Sequence, residues 1–278
     1  MKAGSKILMS ELVGHARAGE DTQAAAVEPA ASAVRKALEL LDAFKANTPE
    51  LSIRELSRRT GIARSTAHRL TGDLVEWGAL ERTPSGGFRL GVKLFELGMR
   101  APTSVTLREA AIPYAHHLHE VTRLTVNVAV RDGSEILYLE KITSRSLRVP
   151  HSRLGGRLAT HATALGKAIL AFSPPDVADS VLNGDMRALT QKTLTDPAVL
   201  RSELTRVRER RVAYDVEESQ LGLFCVAAPI LNAGNTAVGA ISVTGATALD
   251  EAERFAPAVQ TTAMAVSGAL RPRSRSQR

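Results

Sequence analysis

Between Arg54 and Arg69 the chain carries five arginines, Arg54, Arg58, Arg59, Arg64 and Arg69, against a single acid, Glu55. Ser65, Thr66 and His68 are interleaved with them. These side chains suit a polyanion. A guanidinium takes a phosphate or a guanine edge with two parallel hydrogen bonds, and a hydroxyl serves base or phosphate. Further on, Arg82 and Arg89 flank Pro84-Ser85-Gly86-Gly87. The plainer alternative is a solvated arginine-rich surface, and composition alone does not separate the two. A net charge of +7 over 278 residues agrees with an anionic partner without requiring one.

The second half holds the residue types of a thiol hydrolase: Cys225 as nucleophile, His161 as base and Asp215 as orienter. Cys225 runs into an apolar strand, with no helix N-terminus to activate the thiol, so this is the weaker reading. Gly156 to Lys167 is not a phosphate loop, because the glycine spacing is wrong and Ala168 replaces the required Ser or Thr. His116, His117 and His119 put at most two imidazoles on one helix face, and neither a metal site nor a cofactor is expected. Ser242 and Thr244 stand two apart on a predicted strand, so their hydroxyls share a face.

The arginines need a scaffold, and local signals supply one. Ser32 caps a first helix with Val34, Ala37, Leu38, Leu41 and Phe44 at helical spacing. Ser52 and Glu55 form a capping box for a second helix. Gly61 permits a sharp turn into a third, whose inner face is read as Ala67, Leu70, Leu74 and Trp77, with Gly78 as terminator. Strands at 80–83 and 88–90 then flank a turn. Three helices and a hairpin make a winged helix-turn-helix, with the third helix fit for a major groove.

A helix over 92–101 stopped by Pro102 marks the domain boundary. Beyond it the pattern predicts a helix around Leu107 to Val121, a hairpin of strands 125–130 and 135–142, and helices over 163–172 and 197–211. A second strand pair at 225–231 and 237–244 and a closing helix over 250–270 follow. The fold class is therefore α+β, with an antiparallel sheet flanked by helices in the C-terminal part. The expected division is a disordered arm over 1–31, the winged domain over 32–92, a linker helix over 93–105, a C-terminal domain over 106–271 and a basic tail over 272–278.

Two blocks resemble the IclR family of transcriptional regulators. One runs from Leu51-Ser-Ile-Arg-Glu-Leu through Arg64-Ser-Thr-Ala-His-Arg-Leu to Gly87-Phe-Arg-Leu-Gly. The other comprises Gly156-Arg-Leu-Ala-Thr-His-Ala-Thr-Ala-Leu-Gly-Lys-Ala-Ile-Leu, Tyr214-Asp-Val-Glu-Glu, Cys225-Val-Ala-Ala-Pro-Ile and Ala240-Ile-Ser-Val-Thr-Gly. The resemblance implies a linker helix, a GAF-like effector domain, a homodimer or homotetramer, and a palindromic operator in double-stranded DNA. It also implies a small organic metabolite as effector. By position the polar contacts fall on Asp215, Cys225, Ser242 and Thr244, the backbone contacts on Ala164 and Leu165, and the apolar lining on Leu147, Leu158 and Leu223. Thr244 stands where some members have serine, and Pro150 where a longer apolar side chain occurs.

A single cysteine and no visible signal peptide or membrane-length apolar run suggest a cytoplasmic protein with no membrane partner. The reading is a DNA-binding regulator controlled by a metabolite and not an enzyme. The rivals are the thiol hydrolase and a DNA-binding protein that takes no effector.

Overall fold

The computed structural model describes residues 32–45, 47–144, 152–246 and 249–271. The arm over 1–31, the tail over 272–278, Leu147 and Pro150 lie outside the described residues. The chain divides into two compact units between Leu94 and Phe95.

The first unit runs α1 (Ala33–Asp42), α2 (Ile53–Thr60), α3 (Arg64–Trp77), β1 (Leu80–Arg82), β2 (Phe88–Leu90), and α4 (Val92–Gly98), within which the division falls. Ser32 Oγ accepts from the Arg35 N–H at the start of α1. At α2, Ser52 Oγ accepts from Glu55 N–H while the Glu55 carboxylate accepts from Ser52 N–H, so two of the helix's unpaired donors are satisfied reciprocally. Gly61, at φ 70°, takes the left-handed conformation that closes α2 and lets α3 begin three residues later. Leu51 and Phe88 exchange both backbone hydrogen bonds, at 3.0 and 2.9 Å, which ties the segment before α2 to the β1–β2 hairpin. Leu40, Leu56, Ala67, Leu70, Leu80 and Phe88 form the core.

The structure departs from the sequence pattern at Val34, Leu38 and Trp77. Val34 and Leu38 are exposed (70% and 56%), and the residue of α1 buried completely is Leu40. Trp77 is 49% exposed, with the Lys93 ammonium 5.6 Å from its ring centroid. The inward position of α3 four residues after Ala67 is Thr71, whose hydroxyl donates to the His68 carbonyl. Spacing identifies an apolar stripe but not which edge of it the core covers.

The second unit runs α5 (Pro102–Thr122), β3 (Thr125–Asp132), β4 (Glu135–Ile142), β5 (Arg157–Ala159), α6 (Ala164–Ala171) and α7 (Pro175–Leu182). It continues with α8 (Pro197–Arg210), β6 (Ala213–Val216), β7 (Phe224–Leu231), β8 (Ala237–Gly245) and α9 (Leu249–Ala269). The helix expected over 92–101 stops at Gly98, short of Pro102, and Pro102 is instead the first residue of α5, where its fixed φ suits the first turn. The interval 93–105 thus holds most of α4 and the first turn of α5 rather than one helix. The short elements α7, β5 and β6 have no counterpart in the sequence reading.

The six strands form one antiparallel sheet in the order β5-β4-β3-β8-β7-β6. Alternate strand residues face opposite layers. Val126, Val128, Val226, Ala228, Ile241 and Val243 pack against α5 and α9 through Leu107, Leu118, Val259 and Val266. Ala129, Ile136, Tyr138, Ala213, Ala227 and Ala240 pack against α6 and α8 through Leu165, Ile169, Leu200 and Leu204. The result is the α+β arrangement the sequence implies. No helix among the described residues is long and apolar enough to cross a membrane.

Candidate functional site

In the first unit Arg54, Arg58, Arg59, Arg64, Ser65, His68, Arg69, Arg82 and Arg89 are all exposed, and Thr66 is half-buried. Arg64 to Arg69 occupy the first two turns of α3, whose Ala67 and Leu70 point inward. The exposed residues differ in what holds them. Arg54, Arg58 and Arg64 form no ion pair among the described residues. Arg69 lies 3.2 Å from Asp73 one turn on. Arg89 pairs with Glu81 across the hairpin at 2.7 Å, and Arg82 lies 5.2 Å from the centroid of the Phe88 ring. Arg59 donates to the Ala43 carbonyl at 3.0 Å and to Thr48 Oγ1 at 3.1 Å. Its cation therefore caps the C-terminal end of α1, where the helix dipole favours positive charge.

In the second unit strand register assembles a polar row. Asp215 on β6 lies opposite Cys225 on β7, Cys225 opposite Thr244 on β8, and Thr244 opposite Thr125 on β3. Cys225 and Thr244 hydrogen-bond at 3.3 Å, and Asn127 Nδ2 donates to Thr244 Oγ1 at the same distance. A cavity beside this row is lined by Leu158, Leu165, Asp215, Leu223, Cys225 and Thr244, together with Tyr138, Ser152, Thr163, Ser219 and Gln220. It encloses ≈ 20 Å³, about the space of one water. Ala164 and Ser242 are fully buried but do not line it; Ser242 lies two residues along β8, opposite Asn127.

Helix α6 begins at this cavity. Thr163 Oγ1 accepts from the Gly166 N–H at 3.0 Å. The amides of Ala164 and Leu165, in the first turn, have no intrahelical acceptor. Gly166 has a separate role: a Cβ there would lie 2.0 Å from the Thr160 carbonyl oxygen, so only glycine lets α6 sit this close to the preceding chain.

Asp215 is already engaged. Its Oδ1 accepts from the amides of Glu218 (2.8 Å) and Ser219 (3.2 Å), and its Oδ2 from the Ser219 hydroxyl (2.5 Å). Burial pushes its carboxyl above the ordinary range. Asp215 thus pins the β6–β7 loop that carries Ser219, Gln220 and Leu223 over the cavity. Thr190 and Thr193 clamp the same loop, donating to the carbonyls of Glu217 (2.6 Å) and Glu218 (2.7 Å).

The sequence reading missed Lys167. Its side chain is 1% exposed and forms an ion pair with Glu218, whose carboxyl is likewise pushed up by burial. A lysine inside the apolar run Ala-Leu-Gly-Lys-Ala-Ile-Leu was the available signal, since a buried ammonium requires a partner.

Cys225, His161 and Asp215 share no hydrogen bond. His161 Nε2 meets the Arg187 carbonyl at 3.1 Å, and Asp215 holds its own loop. Cys225 lines the cavity, and burial of its thiol pushes it up to about 12, far from a thiolate at neutral pH. Among the described residues no group of three His, Cys, Asp or Glu side chains is placed to hold a metal ion. A larger cavity of ≈ 630 Å³ lies between β7 and α9, lined by Ala228, Leu231, Met264 and Arg271 among others. It contains none of the buried unpartnered polar atoms that mark the smaller one.

Residues 33–84 match the IclR helix-turn-helix domain, and residues 99–268 match the C-terminal domain of the bacterial transcriptional regulator IclR. The chain belongs to the IclR family of transcriptional regulators. The transcriptional regulator XynR of Escherichia coli is 34% identical over 247 residues, covering 87% of this chain and 98% of XynR. The transcriptional repressor IclR of the same organism is 31% identical, covering 80% and 84%. An IclR homologue from Microbacterium hydrocarbonoxydans, solved with 4-hydroxybenzoate, superposes with a TM-score of 0.80 at 26% identity, covering 86% and 99%. The Thermotoga maritima IclR structure gives 0.71 at 29%, covering 85% and 98%. An IclR-family regulator has a DNA-binding helix-turn-helix and a C-terminal effector-binding domain, which are the two units described above.

Proposed function

We propose that α3 enters the major groove of a palindromic operator, with Arg64, Ser65, His68 and Arg69 at base edges and Thr66 beside them. Arg54 and Arg58 hold the phosphate backbone, and Arg82 and Arg89 on the hairpin touch the neighbouring strand. The observation that carries this reading is the capped α2, the left-handed Gly61 and α3 with its arginines on the outer face. The protein acts in the cytoplasm as a homodimer or homotetramer. The exposed Phe95 and Met99 beyond the first unit support self-association, because apolar side chains this exposed favour a covering partner. It is a regulator and not an enzyme, which is supported by the hydrogen bonds that hold His161 to the Arg187 carbonyl and Asp215 to its own loop rather than to Cys225.

The effector is a small organic acid held between the first turn of α6 and the row of Asp215, Cys225 and Thr244, with Leu158, Leu165 and Leu223 as apolar walls. The 4-hydroxybenzoate bound by the Microbacterium homologue supports an acid of this kind. Such a ligand exceeds the present cavity, so the loop over it must give way on binding. To regulate, the ligand must favour one operator-binding state over the other.

Selection of bound sequences from a random duplex pool by the full-length chain tests the DNA half. A palindromic consensus is expected, with Arg69→Ala binding it about 1–3 kcal/mol more weakly at equal salt. Unaltered affinity removes Arg69 from the readers, and selection of no consensus removes sequence-specific binding.

A further inference from the structure

Resting on the reading of Arg82 and Arg89 as DNA contacts, we infer that Glu50 is a positioning residue for DNA binding. Its carboxylate ties the β1–β2 turn to the chain that starts α2, so that the arginines of hairpin and helix meet the duplex as one preformed surface. Glu50 Oε1 accepts from Thr83 Oγ1 at 2.8 Å and from the Ser85 hydroxyl. Thr83 Oγ1 in turn accepts from the Gly87 amide at 3.0 Å. The carboxylate lies this close because residue 87 is glycine: a Cβ there would stand 2.7 Å from Oε1. The next two residues continue the tie. Leu51 exchanges both backbone hydrogen bonds with Phe88 on β2, and Ser52 caps α2. Three consecutive residues thus hold the turn, the second strand and the helix that carries Arg54 and Arg58.

A carboxylate on this face needs a reason, because a free surface acid beside a phosphate backbone only repels it. Glu50 is exposed, and the hydrogen bonds from Ser85 and Thr83 hold its carboxyl below the ordinary range, so it is ionised at neutral pH. Its charge costs affinity for DNA. Its hydrogen bonds work the other way, since a turn ordered before binding loses less freedom on binding. The two effects have opposite signs and can be separated by substitution. Glutamine keeps an accepting oxygen and removes the charge, whereas alanine removes both.

The test is fluorescence-anisotropy binding of the full-length protein to the sequence most enriched from a random duplex pool, for wild type, Glu50→Gln and Glu50→Ala. The two variants carry the same charge. Glu50→Ala is expected to bind about three- to tenfold more weakly than Glu50→Gln, the effect of about one net hydrogen bond. It should also lose the protection of the DNA backbone from hydroxyl radicals beside the hairpin, which Glu50→Gln keeps. Ser85→Ala removes one donor from the exposed turn and should lose part of the same affinity. In an Arg82→Ala/Arg89→Ala background the difference between glutamine and alanine should vanish, because the turn then has no cation to deliver. Equal binding by Glu50→Gln and Glu50→Ala overturns the inference and leaves a plain repulsive acid. A difference that persists without the two arginines overturns it as well, placing the effect in α2. If Arg82→Ala/Arg89→Ala by itself binds like wild type, the hairpin contact with DNA falls, and the role of Glu50 falls with it.

Discussion

The two units handle charge in opposite ways. In the first, the arginines of α2 and α3 lie in solvent, and the Arg69–Asp73 pair is 62% exposed on both sides. Such a pair contributes little to stability, so Arg69 is free to exchange its partner for a phosphate, and Arg54, Arg58 and Arg64 have no ion pair among the described residues to give up. In the second, Lys167, Glu218 and Asp215 are buried and bound to one another's surroundings, and no polyanion can reach them. Charge at the surface serves a large external ligand. Charge under the β6–β7 loop fixes the shape of a small internal site.

The largest expected effect comes from cutting the buried pair. Lys167→Met leaves the buried Glu218 carboxyl without its partner and pushes it further toward the neutral form, and should destabilise the second unit by about 3–5 kcal/mol in chemical denaturation. Lys167→Met with Glu218→Met should recover much of that loss. If the single variant melts like wild type, the contrast between the units fails, and the pair is no more than a surface bridge drawn inward.

Arg59 sharpens the comparison because it sits among the surface arginines yet bonds Ala43 and Thr48. Arg59→Ala should lower the stability of the full-length protein by about 0.5–1.5 kcal/mol. Arg58→Ala should leave stability unchanged, weaken binding to every duplex alike and flatten the salt dependence. A reversal of these two phenotypes, read by denaturant melts and by salt titration of DNA binding, would show that Arg59 is the phosphate contact.

The same contrast explains what was legible in the sequence. The capping box at Ser52 and Glu55, the turn at Gly61 and the glycine-rich hairpin are local, each signal lying within a few residues of its effect. Even there, periodicity did not say that Leu40 rather than Val34 or Leu38 would be buried, since neighbouring rows of a helix are set by what packs on them. The cavity is non-local. Asp215 and Thr244 line one cavity only because β6, β7 and β8 pair in one register, and β6 is four residues long, too short for an alternation pattern to reveal. Their positions came from family resemblance, which supplied the row but neither Tyr138 nor Gln220. The Lys167–Glu218 pair spans 51 residues and is seen only in the fold.

The central claim is that the buried row in the second unit controls what the exposed helix in the first unit does. The direct measurement is operator affinity as a function of acid concentration, for wild type and for Thr244→Val, which removes one hydroxyl at nearly constant volume. The expected result is a several-fold change of wild-type operator affinity with acid, matching a coupling of roughly 1–3 kcal/mol. In Thr244→Val the same change should require about ten times more acid. An identical acid response in both proteins would contradict the account, because the polar row would then lie outside the site that the regulator senses with.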